Sequence, residues 1–117
     1  MKGRYVTPRK ASADQHAGQF FWSIFRSFLE INDDLSVTMH DEILTEPGLD
    51  KFATKTARHF RGKVTTRQNS DKWEIELRDD GDMSLRMAVL RLRSGELICD
   101  IHTTSWGSSR TELFEPA

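Results

Sequence analysis

Residues Ser12 to Ile31, SADQHAGQFFWSIFRSFLEI, are the stretch whose reading decides the fold. Ser12 and Gln15 have the spacing of a capping box, in which each side chain satisfies a backbone donor of the first helical turn. Stepped at about 100° per residue, Phe20, Ile24, Phe28 and Ile31 share one sector, and Phe21 and Phe25 follow beside it. Leu29 and Trp22 widen the apolar arc to about 200°, roughly twice what a one-sided surface helix needs. This pattern predicts a helix over residues 13–31 that is covered on two sides. A sheet wrapped around it would do this, and so would a second molecule seated on Trp22, Phe25 and Leu29.

Asn32-Asp-Asp34 reads as a turn, and Leu35, Val37 and Met39 alternate like a short strand. Pro47-Gly48 breaks the chain. Leu49, Phe52, Ala53, Ala57 and Phe60 then recur at helical spacing, with Gly62 placed as a left-handed cap. A second helix is expected over 49–61, its outward face carrying Lys51, Lys55, Arg58 and Arg61.

From Lys63 the period becomes two. Trp73, Ile75 and Leu77 alternate with Glu74 and Glu76, and Asp79-Asp-Gly-Asp82 reads as a hairpin loop in which Gly81 supplies a positive φ. If Leu77 pairs with Met83, Glu74 faces Arg86. A two-residue turn at Ser94-Gly95 would pair Leu92 with Leu97, Leu90 with Cys99 and Ala88 with Ile101. The two hairpins then need opposite parity, which requires a bulge or bend near Ala88-Val89. A last strand runs from Arg110 to Phe114. The expected fold is α+β: two N-terminal helices packed on a bent four-stranded antiparallel meander over 63–114, an outline shared by cone-shaped folds.

The chain has 117 residues, enough for one domain, here 11–117 behind a flexible basic leader over 1–10. A single cysteine, Cys99, on the apolar parity, excludes an intramolecular disulfide and reads as an inert core thiol. No apolar run reaches the roughly 18 residues of a membrane span, and a cytoplasmic location is expected. Seventeen Lys and Arg against eighteen Asp and Glu give a net charge of -1, which argues against indiscriminate polyanion binding.

That total conceals a sorting of charge. From Glu30 to Asp50 there are seven acids, Glu30, Asp33, Asp34, Asp41, Glu42, Glu46 and Asp50, and no Lys or Arg; from Lys51 to Arg67 there are six bases, Lys51, Lys55, Arg58, Arg61, Lys63 and Arg67, and no acid. Either the two segments lie side by side, each exposed pair contributing little, or they form a bipolar surface that orients a charged partner.

Chemistry-bearing constellations are few. His16, His40, His59 and His102 lack ligand spacing, and no metal or cofactor is expected. Asp100 and His102 share a strand face, which would suit an oriented general base, yet no nucleophile or oxyanion loop accompanies them. Trp73 has core parity, whereas Trp22 and Trp106 fit an interface. The expected function is a non-enzymatic protein-binding module, an adaptor, inhibitor or chaperone-like protein that forms a homodimer. It would use Trp22, Phe25 and Leu29 together with Lys51, Lys55, Arg58 and Arg61. Two alternatives stand beside it: a nucleic-acid accessory using the basic helix 51–61, and a ligand-binding or enzymatic fold with a pocket near Asp100 and His102.

Overall fold

In the computed structural model, which describes residues 3–8, 22–45, 54–81, 83–104 and 108–117, every regular element is a β-strand. In chain order these are β1 (Gly3–Val6), β2 (Trp22–Ile31), β3 (Ser36–Thr45), β4 (Thr54–Arg67), β5 (Lys72–Arg78), β6 (Ser84–Arg91), β7 (Leu97–Thr103) and β8 (Ser108–Pro116). Each pairs antiparallel with the next, and β1 also pairs with β8 through Tyr5↔Pro116 and Val6↔Glu115. The result is a closed eight-stranded up-and-down barrel. The sheet closes through this seam, so among the described residues no strand is left as a terminal edge of an open sheet.

This overturns the α+β expectation. The described part of 13–31 is strand β2, and that of 49–61 is the N-terminal half of β4; residues 13–21 and 49–53 lie outside the described residues. The 200° arc was the signature of a strand with apolar groups on both faces. Leu29 and Ile31 point inward with 1% exposure each, while Phe28 points outward and stacks on His40 (centroids 4.4 Å apart). A register shift between Ile24 and Arg26 interrupts the alternation that would have marked the strand. In β4 the helical spacing was accidental: Phe60 and Val64 face inward with Gly62 between them, and Gly62 caps no helix. Gly3–Val6, expected within a flexible leader, forms the strand that closes the barrel.

Inward positions form one continuous core: Tyr5, Leu29, Ile31, Val37, Met39, Phe60, Val64, Trp73, Ile75, Leu77, Leu85, Met87, Val89, Leu97, Cys99, Ile101 and Phe114. Odd residues point inward throughout β5, β6 and β7, so the parity conflict near Ala88-Val89 does not arise. The observed register is Leu77↔Leu85, Val89↔Cys99 and Arg91↔Leu97, and Arg86 faces Glu76. The error lay in loop length. Leu92 N–H donates to Glu96 O (2.8 Å), which encloses a three-residue loop with Gly95 at φ 92°; a two-residue turn would have flipped every side chain. Gly81 has no positive φ.

The same closure recurs at this end of the barrel. Asn32 N–H donates to Ser36 O and Gln68 N–H to Lys72 O, both at 3.0 Å. In the first of these loops Leu35 takes the left-handed conformation at φ 68°, unfavourable by about 1–2 kcal/mol for a residue with a Cβ. Its carbonyl accepts from Val64 N–H (2.9 Å) and its side chain packs on the core, which offsets the strain. At the opposite end lie the connections 7–21, 46–53, 79–83 and 104–107; Asp79 N–H closes onto Met83 O (3.1 Å) in the same way, and the longer spans 7–21 and 46–53 set this mouth apart. Outward positions carry Arg4, Arg61, Lys63, Glu74, Glu76, Arg78, Arg86 and Asp100, all exposed. This is the inverse of the apolar-out pattern of a membrane-spanning barrel.

Candidate functional site

Strand alternation carries polar groups into the lumen near the long-connection mouth. On β3, Asp41 shares the inward parity of Val37 and Met39. On β2, Ser27 follows Ile31 and Leu29, and Ser27 and Asp41 are register partners. On β4, Arg58 stands opposite Asp41, two residues from buried Phe60. On β8, Arg110 and Glu112 have the parity of Phe114, opposite Ile101 and Cys99. Thr7, just beyond β1, completes the set. Around the wall these residues occupy β4, β3, β2, the end of β1 and β8, an unbroken polar arc. The facing wall, β5 to β7, presents Leu77, Leu85, Met87 and Ile101.

The arc is wired together. Thr7 N–H donates to Ser27 O (3.0 Å), and Ser27 N–H returns a bond to Thr7 Oγ1 (2.8 Å). Ser27 Oγ donates to Asp41 Oδ1 (2.5 Å). Asp41 is 4% exposed, and its second oxygen lies 3.6 Å from Arg110 Nη2. Arg110 Nε is 3.7 Å from Glu112 Oε1. Charge-assisted N–H···O bonds close to about 2.7–2.9 Å, so both contacts are loose. Arg110 Nε is buried and makes no hydrogen bond among the described residues. The Arg110 side chain as a whole keeps 29% exposure, and so reaches from the interior toward the mouth. Arg58 Nη1 donates to the Met83 sulfur (3.4 Å), which ties the β5–β6 connection to the same arc. This arrangement presents a cation, with a buried donor still unused, beside an apolar wall.

The residues singled out from sequence are dispersed. Leu29 is inside the barrel. Trp22 lies on β2 opposite Thr45, and Phe25 sits at the register shift; their side chains lie outside what is described. Lys51 and Trp106 also lie outside the described residues, and Lys55 pairs with Leu44 on β3. Arg58 and Arg61, placed on one helix stripe by the sequence reading, are three apart on a strand and therefore point to opposite faces. Asp100 and His102 are on the outer face of β7. Asp100 accepts from Thr111 Oγ1 (2.7 Å), and Asp100 and His102 line an outer groove of about 310 Å³ with Glu74, Arg86 and Ala88. Cys99 is fully buried, and burial pushes its thiol up to about 12.

The acidic and basic runs do lie side by side as β3 and β4, yet Asp41↔Arg58 is their one opposite-charge register pair among the described residues. Asp41, Arg110, Glu112, Ser27 and Thr7 were missed as a set. Arg110, Glu112 and Phe114 share a strand parity, and that was the signal available for two of them. No protein-family model, curated protein or solved structure matches this chain.

Proposed function

We propose that this protein is a small-molecule-binding β-barrel whose ligand has an apolar body and an anionic head, held at the long-connection mouth with the head on Arg110. The observation that carries this reading is Arg110: a guanidinium inside a closed barrel, loosely paired with two carboxylates and holding a buried Nε without an acceptor. A purely structural ion pair would be expected to close its contacts, because a buried unsatisfied donor costs about 1–3 kcal/mol. Barrels of eight strands are wide enough either to be filled by side chains or to hold one small ligand. The apolar wall opposite the polar arc supplies the remaining surface, as ligand sites combine mostly apolar linings with a few placed polar groups. Asp41 and Glu112 orient the guanidinium, and Ser27 and Thr7 fix Asp41.

The test uses two probes that differ in a sulfonate: 8-anilinonaphthalene-1-sulfonate and the neutral N-phenyl-1-naphthylamine. Saturable one-to-one fluorescence enhancement is expected for both, with the sulfonate bound more tightly. Arg110→Gln should weaken the sulfonate probe about 10- to 100-fold, the range of a charge-assisted bond of about 1.5–3 kcal/mol, and leave the neutral probe within about twofold. Because the neutral probe reports an intact barrel, loss of both probes in step, or binding of neither by the native protein, would refute the reading.

A further inference from the structure

The outer face of β4 to β6 carries a second feature, independent of the lumen. Arg61, Lys63, Arg78 and Arg86 surround a groove of about 580 Å³, with the backbone of Gly62 and Leu77 contributing to its lining and Ser84 and Thr104 at one side. The register arranges these residues in two rungs. Arg61, Arg78 and Ser84 form one, which Thr104 extends by donating its N–H to Ser84 O (3.0 Å); Lys63, Glu76 and Arg86 form the next. Neighbouring strands are about 4.8 Å apart and rungs two residues apart are separated by about 6.6–6.8 Å. Four cations therefore sit on a patch about 10–12 Å across at the backbone.

Glu76 is the one carboxylate in the lining, and it pairs with Arg86 at 3.5 Å. Arg61, Lys63 and Arg78 have no acidic partner among the described residues. Arg61 stands directly opposite Arg78, and like charges opposed across a ladder are destabilising. Such an arrangement lowers its energy when an anion sits between the guanidiniums. The hydroxyls of Ser84 and Thr104 are hydrogen-bonded to each other at the same rung, with Thr104 Oγ1 also donating to Ser84 O (3.1 Å), which fixes this edge of the groove.

We propose that this groove binds a compact small molecule bearing two or more linked phosphate groups. The footprint and the outward chemistry favour this over a nucleic acid. Single-stranded nucleic acid is held by aromatic platforms along a basic track, and neither rung presents an aromatic side chain. Arginine forks match phosphate oxygens two at a time, so Arg61 and Arg78 grip adjacent phosphates while Lys63 and Arg86 neutralise the remaining charge.

The experiment is a titration of the full chain with tripolyphosphate, followed by backbone amide NMR shifts at low and high ionic strength. Shifts should concentrate at 61–63, 76–78 and 84–86, and affinity should fall as salt rises. The Arg61→Gln/Arg78→Gln double variant should bind at least about tenfold more weakly and yet melt at or above the native temperature in anion-free buffer, because the like-charge opposition is gone. Inorganic phosphate should bind far more weakly than tripolyphosphate. Absence of localised shifts, equal binding of inorganic phosphate, or a double variant that is destabilised with unchanged affinity would each overturn the proposal. A single-stranded oligonucleotide that binds more tightly and shifts residues well beyond the groove would replace it with nucleic-acid binding.

Discussion

Gly62→Ala is the substitution this barrel should tolerate least for its size. A Cβ built at Gly62 overlaps the carbonyl oxygen of Glu76 and falls 2.7 Å from its carbonyl carbon and 2.9 Å from Leu77 Cα. All three are backbone atoms of the neighbouring strand, so no rotamer relieves them. The Glu76 oxygen is the tightest of the three, and carrying it to ordinary van der Waals distance needs well over about 1 Å of movement between β4 and β5. That displacement falls on the rungs Arg61↔Arg78, Gly62↔Leu77 and Lys63↔Glu76. Weakening about two ladder bonds costs about 1 kcal/mol each, and the overpacking adds about 1–3 kcal/mol. The gain from a stiffer unfolded chain, about 0.4–1 kcal/mol, offsets part of this. The net expectation is a loss of about 2–4 kcal/mol.

Urea unfolding followed by tryptophan fluorescence measures the loss directly, and a fall in Tm of about 10 °C should accompany it, at about 4 °C per kcal/mol. Gly81→Ala is the matched control. Its added Cβ meets only the Asp79 side chain, at 3.5 Å, and its φ is not positive, so the change should stay within about 0.5 kcal/mol. If Gly62→Ala proves as mild as Gly81→Ala, the close approach of β4 to β5 at Gly62 is not a property of the folded chain.

Cys99 should resist thiol reagents in the folded protein even at mildly alkaline pH, because it is fully buried and its thiol is pushed up to about 12. Labelling should follow the rate of global unfolding, and rapid labelling in native buffer would show that the barrel opens locally at β7. His40 should make the fold acid-sensitive. Its pKa is held below 6.5, first by burial and then by the charge of His59, with Asp41 and Glu42 acting in the opposite direction. A depressed histidine favours the folded state fully only above its unfolded pKa, and that contribution is lost as pH falls from 6.5 through the folded value. Relative to His40→Gln, the native protein should therefore lose urea resistance below pH 6.5 and show a constant difference above it; parallel pH profiles would remove His40 as the cause.

The parts of the fold legible in sequence were those where one local rule acts alone. Trp73, Ile75 and Leu77 alternate cleanly with charged residues, and β5 is where the alternation places it. The acidic and basic runs are neighbours because β3 and β4 are joined consecutively and pair along their length. β2 was illegible because it combines a register shift with apolar side chains on both faces, and the outward Phe28 is held by His40 and by the Arg26 guanidinium 4.8 Å above its ring. Any single window over Ile24 to Ile31 fits helical spacing better than alternation. Only the partners across the sheet show that Phe28 and Leu29 face opposite sides.

The lumen was illegible for a different reason. A barrel brings together residues that no local pattern relates: Asp41 and Arg110 are held on strands separated by β2 and β1, and their contact exists only because the sheet closes. Closure rests on a β1–β8 pairing of two register pairs, continued by Ala117 N–H donating to Arg4 O at 2.8 Å. Without β1 beside it, β8 would be an edge strand at Glu115 and Pro116, with its ladder groups there open to water. The seam pairs lie five and six residues along β8 from Arg110, toward the other end of the barrel, so mouth and joint are linked along a single strand. A ligand that bridges Arg110 to the apolar wall of β5 to β7 should tighten the seam, so amide exchange at Tyr5 and Val6 should slow when the sulfonate probe binds native protein and stay unchanged in Arg110→Gln.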